Sequence, residues 1–215
     1  MVYIYDKLGK KINYYNFKGD YIRQFLLTRT PYFMTGNGDH LLLIGPEYII
    51  HINTKSKQMD VKNIAYKEFS PSNMWLGTTY KDTAVFFEGT KMVLLKFNLE
   101  NADFLGTYPI KGKKEWSAKV VERKRGNGAI SLLPVSSFAN ILKYKNYYII
   151  QRRDLKENDK NALLLIDDKS FKIEKIIKFP RSSWLISYYP QEDEFFIIDE
   201  NRKLAKITPS KLGIK

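Results

Sequence analysis

The sequence predicts an all-β protein built from repeated four-stranded antiparallel sheets, and two observations support this prediction. Short runs rich in Ile, Val, Leu, Tyr and Phe are bounded by turn residues, and their starts recur at a spacing of roughly 40 residues. A proline followed four positions later by a large aromatic residue occurs three times, in PSNMW (71–75), PVSSF (134–138) and PRSSW (180–184). Helices are not expected, because no window has an apolar stripe at helical spacing over three turns.

The first strand of a repeat begins within or just after the proline phrase, because proline cannot donate a hydrogen bond to a sheet and therefore marks the entrance of a strand. The aromatic residue of the phrase then lies inside the strand, where we expect it to pack between neighbouring sheets. Three predicted first strands follow the prolines of the phrases: NMWLGTTY (73–80), SFANILKY (137–144) and SWLISYY (183–189). A looser fourth copy is PYFMTG (31–36).

The second, third and fourth strands of each repeat follow in order, with a turn rich in Asn, Asp, Gly, Ser and Lys before the fourth. The second strands are VYIY (2–5), LLLI (41–44), TAVFF (83–87), YYII (147–150) and FFII (195–198). The third strands are INYY (12–15), YIIHI (48–52), MVLLKF (92–97), LLLI (163–166) and LAKI (204–207). The fourth strands are YIRQFLL (21–27), MDVKNI (59–64), DFLGTYPI (103–110) and FKIEKIIKF (171–179).

Four antiparallel strands in roughly 40–45 residues are typical of the blade of a β-propeller. We therefore expect residues 1–215 to form a single propeller domain with about four to five blades. The first and last blades are incomplete in this interpretation, since the first begins at its second strand and the last ends in a stub after its third.

One segment, residues 111–133, interrupts the repeat and is strongly basic. Within it, KEWSAKVVERKRG (114–126) has room for two helical turns, which Gly126 and Gly128 would end. Insertions in repeat folds usually map to loops on one face, often the binding face.

The composition restricts the classes of function. The net charge is +13, from 36 Lys and Arg against 23 Asp and Glu, so nucleic acid, anionic glycans and anionic surfaces attract the protein; a merely solvated basic surface is the alternative. The absence of cysteine excludes disulfides and thiolate metal sites. No apolar run is long enough for a membrane span, and MVYIYDKLGK (1–10) lacks the layout of a signal peptide, which leaves the localisation open.

The stretch VYIYDKLGKKINYYNFKGDYIRQF (2–25) resembles one blade of the NHL-like six-bladed propellers, in particular the 6-bladed β-propeller lipoproteins of Bacteroidetes, and FFIIDENRKLAKI (195–207) resembles the first part of such a blade. The matching positions are Tyr5, Asp6, Ile12 to Tyr15, Gly19, Tyr21, Ile22, Arg23 and Phe25. The resemblance implies a ring of six blades and an extracytoplasmic protein, periplasmic or at the cell surface. The lipidated cysteine of the typical family member has no counterpart in this sequence.

Catalysis is not favoured by the residues. Propeller hydrolases hold a calcium ion in the central channel, and calcium requires several carboxylate ligands. The entrances of the innermost strands instead offer hydroxyl and amide groups, from Ser72, Asn73, Ser136, Ser137, Ser182 and Ser183. His51 is interpreted as a surface residue of a strand and His40 as a turn residue, and no nucleophile motif accompanies them. We therefore expect no catalytic residue, metal or cofactor.

The sequence favours a non-enzymatic binding or scaffold module that engages a protein, peptide or anionic glycan through one loop face. Loops between blades and loops between second and third strands emerge on the same face, which brings basic and aromatic groups together. The candidate ligand-binding residues are Tyr66, Ser72, Asn73, Trp116, Arg123, Arg125, Ser136, Arg152, Arg153, Arg181 and Ser182. The alternatives are solvated loops with Trp116 tucked against the rim, a calcium-dependent propeller hydrolase, and an NHL-type RNA-binding module; nucleic acid is not the favoured partner.

Overall fold

Five antiparallel sheets are arranged as the blades of a β-propeller in the computed structural model of the chain. The structure describes residues 2–64, 75–112, 116–117, 120–124, 130–134, 136–154 and 161–214, with the backbone alone for 120–124, 130–134 and 136. No α-helix occurs in these ranges. The all-β class, the antiparallel blades and their number are therefore confirmed.

The two blades at the N-terminal end follow the chain in simple order, each strand pairing with the next. Blade 1 has three strands: β1 (Val2–Asp6), β2 (Lys11–Tyr15) and β3 (Tyr21–Leu26). Blade 2 has four strands: β4 (Phe33–Gly36), β5 (His40–Gly45), β6 (Tyr48–Asn53) and β7 (Gln58–Asn63).

The remaining three blades repeat this order. Blade 3 contains β8 (Trp75–Tyr80), β9 (Thr83–Glu88), β10 (Val93–Asn98) and β11 (Phe104–Pro109). Blade 4 contains β14 (Ser136–Tyr144), β15 (Tyr147–Asp154), β16 (Ala162–Asp167) and β17 (Ile173–Lys178). Blade 5 has three strands: β18 (Trp184–Tyr189), β19 (Glu194–Ile198) and β20 (Leu204–Ile207).

The expectation of six blades, which came from the resemblance to NHL-like propellers, is not met, because the described residues form five. Every strand run read from the sequence is a strand in the structure. Blades 1 and 5 each contain three strands in the described residues, and blades 2 to 4 contain four.

The basic segment between blades 3 and 4 contains a separate hairpin, β12 (Val120–Lys124) and β13 (Ile130–Pro134). The two helical turns considered for residues 114–126 are therefore wrong. Val120 and Val121 are β-branched and pair with Pro134 and Leu133, so a strand partner is close in sequence and outweighs the helical pattern.

The core lies between successive blades. Four apolar clusters separate blades 1 and 2, 2 and 3, 3 and 4, and 4 and 5. The first strands of blades 2 to 5 contact one another in sequence, β4 with β8, β8 with β14 and β14 with β18, as expected for innermost strands around an axis.

The aromatic residue of the proline phrase packs between sheets in two of its three copies. Trp75 lies in the cluster between blades 2 and 3, and Phe138 in the cluster between blades 3 and 4. Trp184 is 39% exposed, so the prediction is wrong for the third copy. A β-bulge follows Phe138 in β14 and Leu185 in β18, so Leu185 occupies the position of Phe138, and Trp184 falls on the opposite side of its strand.

His51 is also placed differently from the prediction of a surface residue. It is 6% exposed, and its Nε2 lies 3.0 Å from Nδ1 of His40, the first residue of β5. The rings stack with centroids 5.3 Å apart. Burial, followed by the proximity of His40, lowers the pKa of His51.

Candidate functional site

Six of the candidate ligand-binding residues cannot be assigned a role from side-chain geometry. Tyr66, Ser72, Asn73 and Arg125 lie outside the described residues. The backbone of Arg123 lies in β12, and the backbone of Ser136 begins β14. The side chains of the other five candidates are described: Trp116, Arg152, Arg153, Arg181 and Ser182.

Trp116 and Arg152 belong to the interior. Trp116 is 9% exposed within the cluster between blades 3 and 4, and its ring centroid lies 5.3 Å from the guanidinium carbon of Arg152. Arg152 is 1% exposed, lies within β15 rather than in a loop, and pairs with Asp154 at 3.0 Å. A surface ligand cannot reach Arg152, so its exposed position was predicted wrongly. Two positions apart on a strand, Arg152 and Asp154 share a face, which explains the pairing.

Arg153, Arg181 and Ser182 come together in one cavity of about 1160 Å³ at blades 4 and 5. We call this cavity the arginine–tryptophan cleft. Its lining residues are Arg153, Phe179, Pro180, Arg181, Ser182, Trp184, Ile186, Ile198, Glu200 and Arg202. The cleft is large enough for a small molecule or a short segment of a larger partner.

Strand alternation positions Arg153. Its neighbour Arg152 points toward blade 3, so the side chain of Arg153 points the other way, toward blade 5. There its guanidinium carbon lies 4.0 Å from the ring centroid of Trp184, and its Nη2 donates a hydrogen bond of 3.0 Å to the carbonyl of Arg181. The stack and the hydrogen bond fix the guanidinium at the mouth of the cleft.

A buried glutamine holds the loop that carries Arg181 and Ser182. The amide nitrogen of Gln151 donates to the carbonyl of Ser183 at 2.8 Å, and its Oε1 accepts the backbone N–H of Leu185 at 2.9 Å. Asn140 donates to the carbonyls of Leu185 and Ile186, each at 2.8 Å. Blade 4 therefore supplies, through side chains, the hydrogen bonds that position the start of β18.

The turn that presents Glu200 and Arg202 is closed by Asp199. Its Oδ1 accepts the backbone N–H groups of Asn201 at 2.9 Å and Lys203 at 2.8 Å. Arg202 itself adopts φ 61°, a left-handed conformation that the turn requires. The carboxylate of Asp199 is thus used within the turn and leaves Glu200 as the acid that lines the cleft.

The cleft is electropositive. Three arginines, Arg153, Arg181 and Arg202, line it beside one acid, Glu200. Within the described part of the chain, none of these arginines forms an ion pair with a carboxylate. Burial, followed by the charge of Arg181, lowers the pKa of Arg153, as expected for a cation without a neutralising partner.

Sequence reasoning identified three cleft residues and missed several others. Trp184 was assigned to the core, and Ile186, Ile198 and Arg202 were not selected. Arg202 was recoverable from the rule that loops between second and third strands share a face with the loops between blades, since it lies between β19 and β20. No sequence signal placed Ile186 and Ile198 in a cleft rather than in the core.

Over the described ranges, no group of three or more His, Cys, Asp or Glu side chains is arranged to hold a metal ion. The same ranges contain no helix with the length and apolar character needed to span a bilayer.

No protein-family model and no curated protein matches this sequence. Several solved structures are similar in fold. The dehydrogenase of dihydro-heme d1, NirN, aligns with a TM-score of 0.52 and 12% identity, over 96% of this chain and 41% of NirN. BamB from Moraxella catarrhalis aligns with a TM-score of 0.50 and 9% identity, over 92% of this chain and 53% of BamB. Glutaminyl cyclase from Myxococcus xanthus aligns with a TM-score of 0.47 and 10% identity, over 87% of this chain and 76% of the cyclase.

These similarities concern the fold alone, because identities of 9 to 12% do not extend to sites. This chain spans about half the length of BamB and less of NirN, at 53% and 41% respectively. A propeller fold suits a binding or scaffold role.

Proposed function

We propose that this protein is a non-enzymatic binding module that engages an anionic protein, peptide or glycan through the arginine–tryptophan cleft. One observation supports the proposal above all others. Three guanidinium groups from separate parts of the chain, at the end of β15, in the β17–β18 loop and in the β19–β20 turn, converge on one cavity, and none of them pairs with a carboxylate of the described residues. Guanidinium groups bind carboxylates and sulfates through paired hydrogen bonds.

The arginines are also held in place before a ligand arrives. Arg153 is fixed by its stack on Trp184, and the loop of Arg181 is fixed by Gln151. Preorganised donors lose less conformational entropy on binding, which favours affinity. The relation to NHL-like propellers, suggested by the motif of blade 1, is part of this proposal and does not identify the ligand.

Charge reversal in the cleft tests the proposal. The variant Arg181→Glu/Arg202→Glu should lose more than about tenfold in affinity for a short poly-glutamate peptide or a heparin oligosaccharide, because like charges then meet. Binding is measured by fluorescence anisotropy with labelled probes. The matched control is Lys18→Glu/Lys57→Glu, in exposed turns of blades 1 and 2, which changes the net charge by the same amount.

An equal loss in the cleft variant and the control would show that total charge, not the cleft, attracts these probes. Failure of the unmodified protein to bind either probe would overturn the proposal. The two alternatives have their own readouts. A hydrolase predicts calcium-dependent thermal stabilisation and ester turnover, and an RNA-binding module predicts an RNA affinity that falls steeply with salt.

A further inference from the structure

We infer that the partner of the arginine–tryptophan cleft is an extended peptide segment that combines acidic with large apolar side chains. This inference rests on the proposed function and narrows its partner from anionic molecules in general to one class.

The wall of the cleft is apolar. It is formed by Trp184, Ile186 and Ile198, with Phe179 and Pro180 beside them. Aliphatic side chains offer no hydrogen bonds, so the hydroxyl groups of a glycan placed against them would lose water without replacement. Apolar side chains of a peptide would instead be removed from water there, which is favourable.

Apolar and charged groups are segregated within the cleft. Trp184 and Ile198 are paired residues of β18 and β19, and Ile186 lies at the bulge of β18, so the wall belongs to the strands. The arginines belong to the strand end and loops at the edge of the same cavity. A ligand that satisfies both must carry apolar groups on one side and anionic groups on the other, as an extended peptide of alternating acidic and apolar residues does.

Stacked bases fit this cavity poorly. Two aromatic residues line it; Phe179 is buried, and the ring of Trp184 is already covered by Arg153 at 4.0 Å. Binding of single-stranded RNA depends on exposed aromatic platforms for successive bases. The guanidinium of Arg153 already occupies one face of the Trp184 ring, on which a base would otherwise stack.

Three labelled peptides of equal length test the inference with the full chain. The first alternates Glu with Leu, the second replaces every Leu with Ser, and the third replaces every Glu with Gln. A heparin oligosaccharide is the fourth probe. We expect the Glu–Leu peptide to bind at least about tenfold more tightly than each of the others, measured by fluorescence anisotropy, because it alone uses both the wall and the arginines.

Two variants separate the contributions. Ile186→Ser should weaken binding of the Glu–Leu peptide and leave the weaker Glu–Ser binding unchanged, whereas Arg202→Gln should weaken both. The matched control is Ile4→Ser on blade 1, since Ile4 is 51% exposed and Ile186 is 42% exposed. Circular dichroism melting of each variant checks that the fold is intact.

The possible results distinguish this inference from the proposed function. Equal affinities for the Glu–Leu and Glu–Ser peptides, or loss of binding in Ile4→Ser as large as in Ile186→Ser, would overturn the inference. Tight binding of heparin alone would also overturn it and leave an anion-binding cleft. Absence of binding to all four probes would overturn both.

Discussion

Arg152 and Arg153 are consecutive residues of β15, and their surroundings are opposite. Arg152 pairs with Asp154 and packs under Trp116 in the interior between blades 3 and 4. Arg153 stacks on Trp184 at the edge of the arginine–tryptophan cleft and has no carboxylate partner among the described residues. Both arginines contact a tryptophan, and only Arg152 also pairs with a carboxylate of the described residues.

The difference shows that the cation content of a segment does not locate a binding site. A buried cation has to be neutralised within the fold, so Arg152 is committed to Asp154. A cation at a cavity edge keeps water or a ligand as its partner. The same one-residue alternation separates Leu185, which packs on blade 4, from Trp184, which lines the cleft.

The largest expected effect breaks the buried pair. Replacing Arg152 by Ala removes the 3.0 Å ion pair with the buried Asp154 and should lower the free energy of unfolding by about 3–5 kcal/mol. Arg153→Ala should cost less than about 2 kcal/mol, the upper range for its stacking on Trp184. Urea denaturation at neutral pH measures both values.

A double variant keeps this prediction testable if Arg152→Ala does not fold. Arg152→Met/Asp154→Leu removes both charges, and its stability should lie much closer to that of the unmodified protein. Arg153→Ala as destabilising as Arg152→Ala would mean that the two arginines do not differ in the way described.

The next effect compares Leu185 with Trp184. Leu185 is buried in the cluster between blades 4 and 5, so Leu185→Ala should lower the free energy of unfolding by about 2–5 kcal/mol. Trp184→Ala removes a larger side chain and should still cost less, up to about 2 kcal/mol, because Trp184 is 39% exposed and the contact it loses is the stack on Arg153. Thermal and urea unfolding check the stabilities, and anisotropy with the Glu–Leu peptide should show the reverse order for affinity.

The repeat of strands was predictable because each strand consists of a run of β-forming residues between turn residues. The side of a strand on which a residue lies was not predictable where a β-bulge intervenes. Trp184 and Leu185 are both large and apolar, and no sequence feature shows that the bulge follows Leu185. For this reason the third proline phrase was read one position out of register with the structure.

The candidate site was predictable in part. Arg153, Arg181 and Ser182 were found because loops on one face converge in a propeller. Arg152 could not be separated from Arg153, because the two arginines are adjacent at the end of a predicted second strand and the sequence does not show which of them pairs with Asp154. The hairpin of β12 and β13 was missed because it departs from the repeat on which the other strands were recognised.

A smaller effect concerns the loop that joins the two environments. Gln151→Leu removes both hydrogen bonds to Ser183 and Leu185, and should lower the free energy of unfolding by about 1–3 kcal/mol because buried backbone groups lose their partners. Peptide affinity should fall as well, since the loop of Arg181 is no longer fixed. Gln24→Leu, on an exposed position of β3, is the control and should change stability by less than about 0.5 kcal/mol. Unchanged affinity in Gln151→Leu would remove its positioning role.

The smallest expected effect is a change of pH, which should alter the stability of the fold without altering the affinity of the cleft for a peptide. Because the pKa of His51 is lowered in the folded protein, the unfolded chain binds more protons below neutral pH. The resulting stabilisation is fully present above the unfolded pKa of histidine, about 6.5, and is lost as the pH falls below it. Guanidinium groups are not deprotonated in proteins at these pH values, and the carboxylates of a peptide titrate at about pH 4.3 for Glu. Between about pH 7.5 and 5.5, the free energy of unfolding should therefore fall while affinity for the Glu–Leu peptide stays constant. Urea denaturation and anisotropy across this range measure the two quantities.

In His51→Gln the slope of stability with pH should be shallower, and a slope equal to that of the unmodified protein would show that other groups cause it. Affinity that falls in parallel with stability would mean that the histidine pair in blade 2 and the cleft at blades 4 and 5 are not independent.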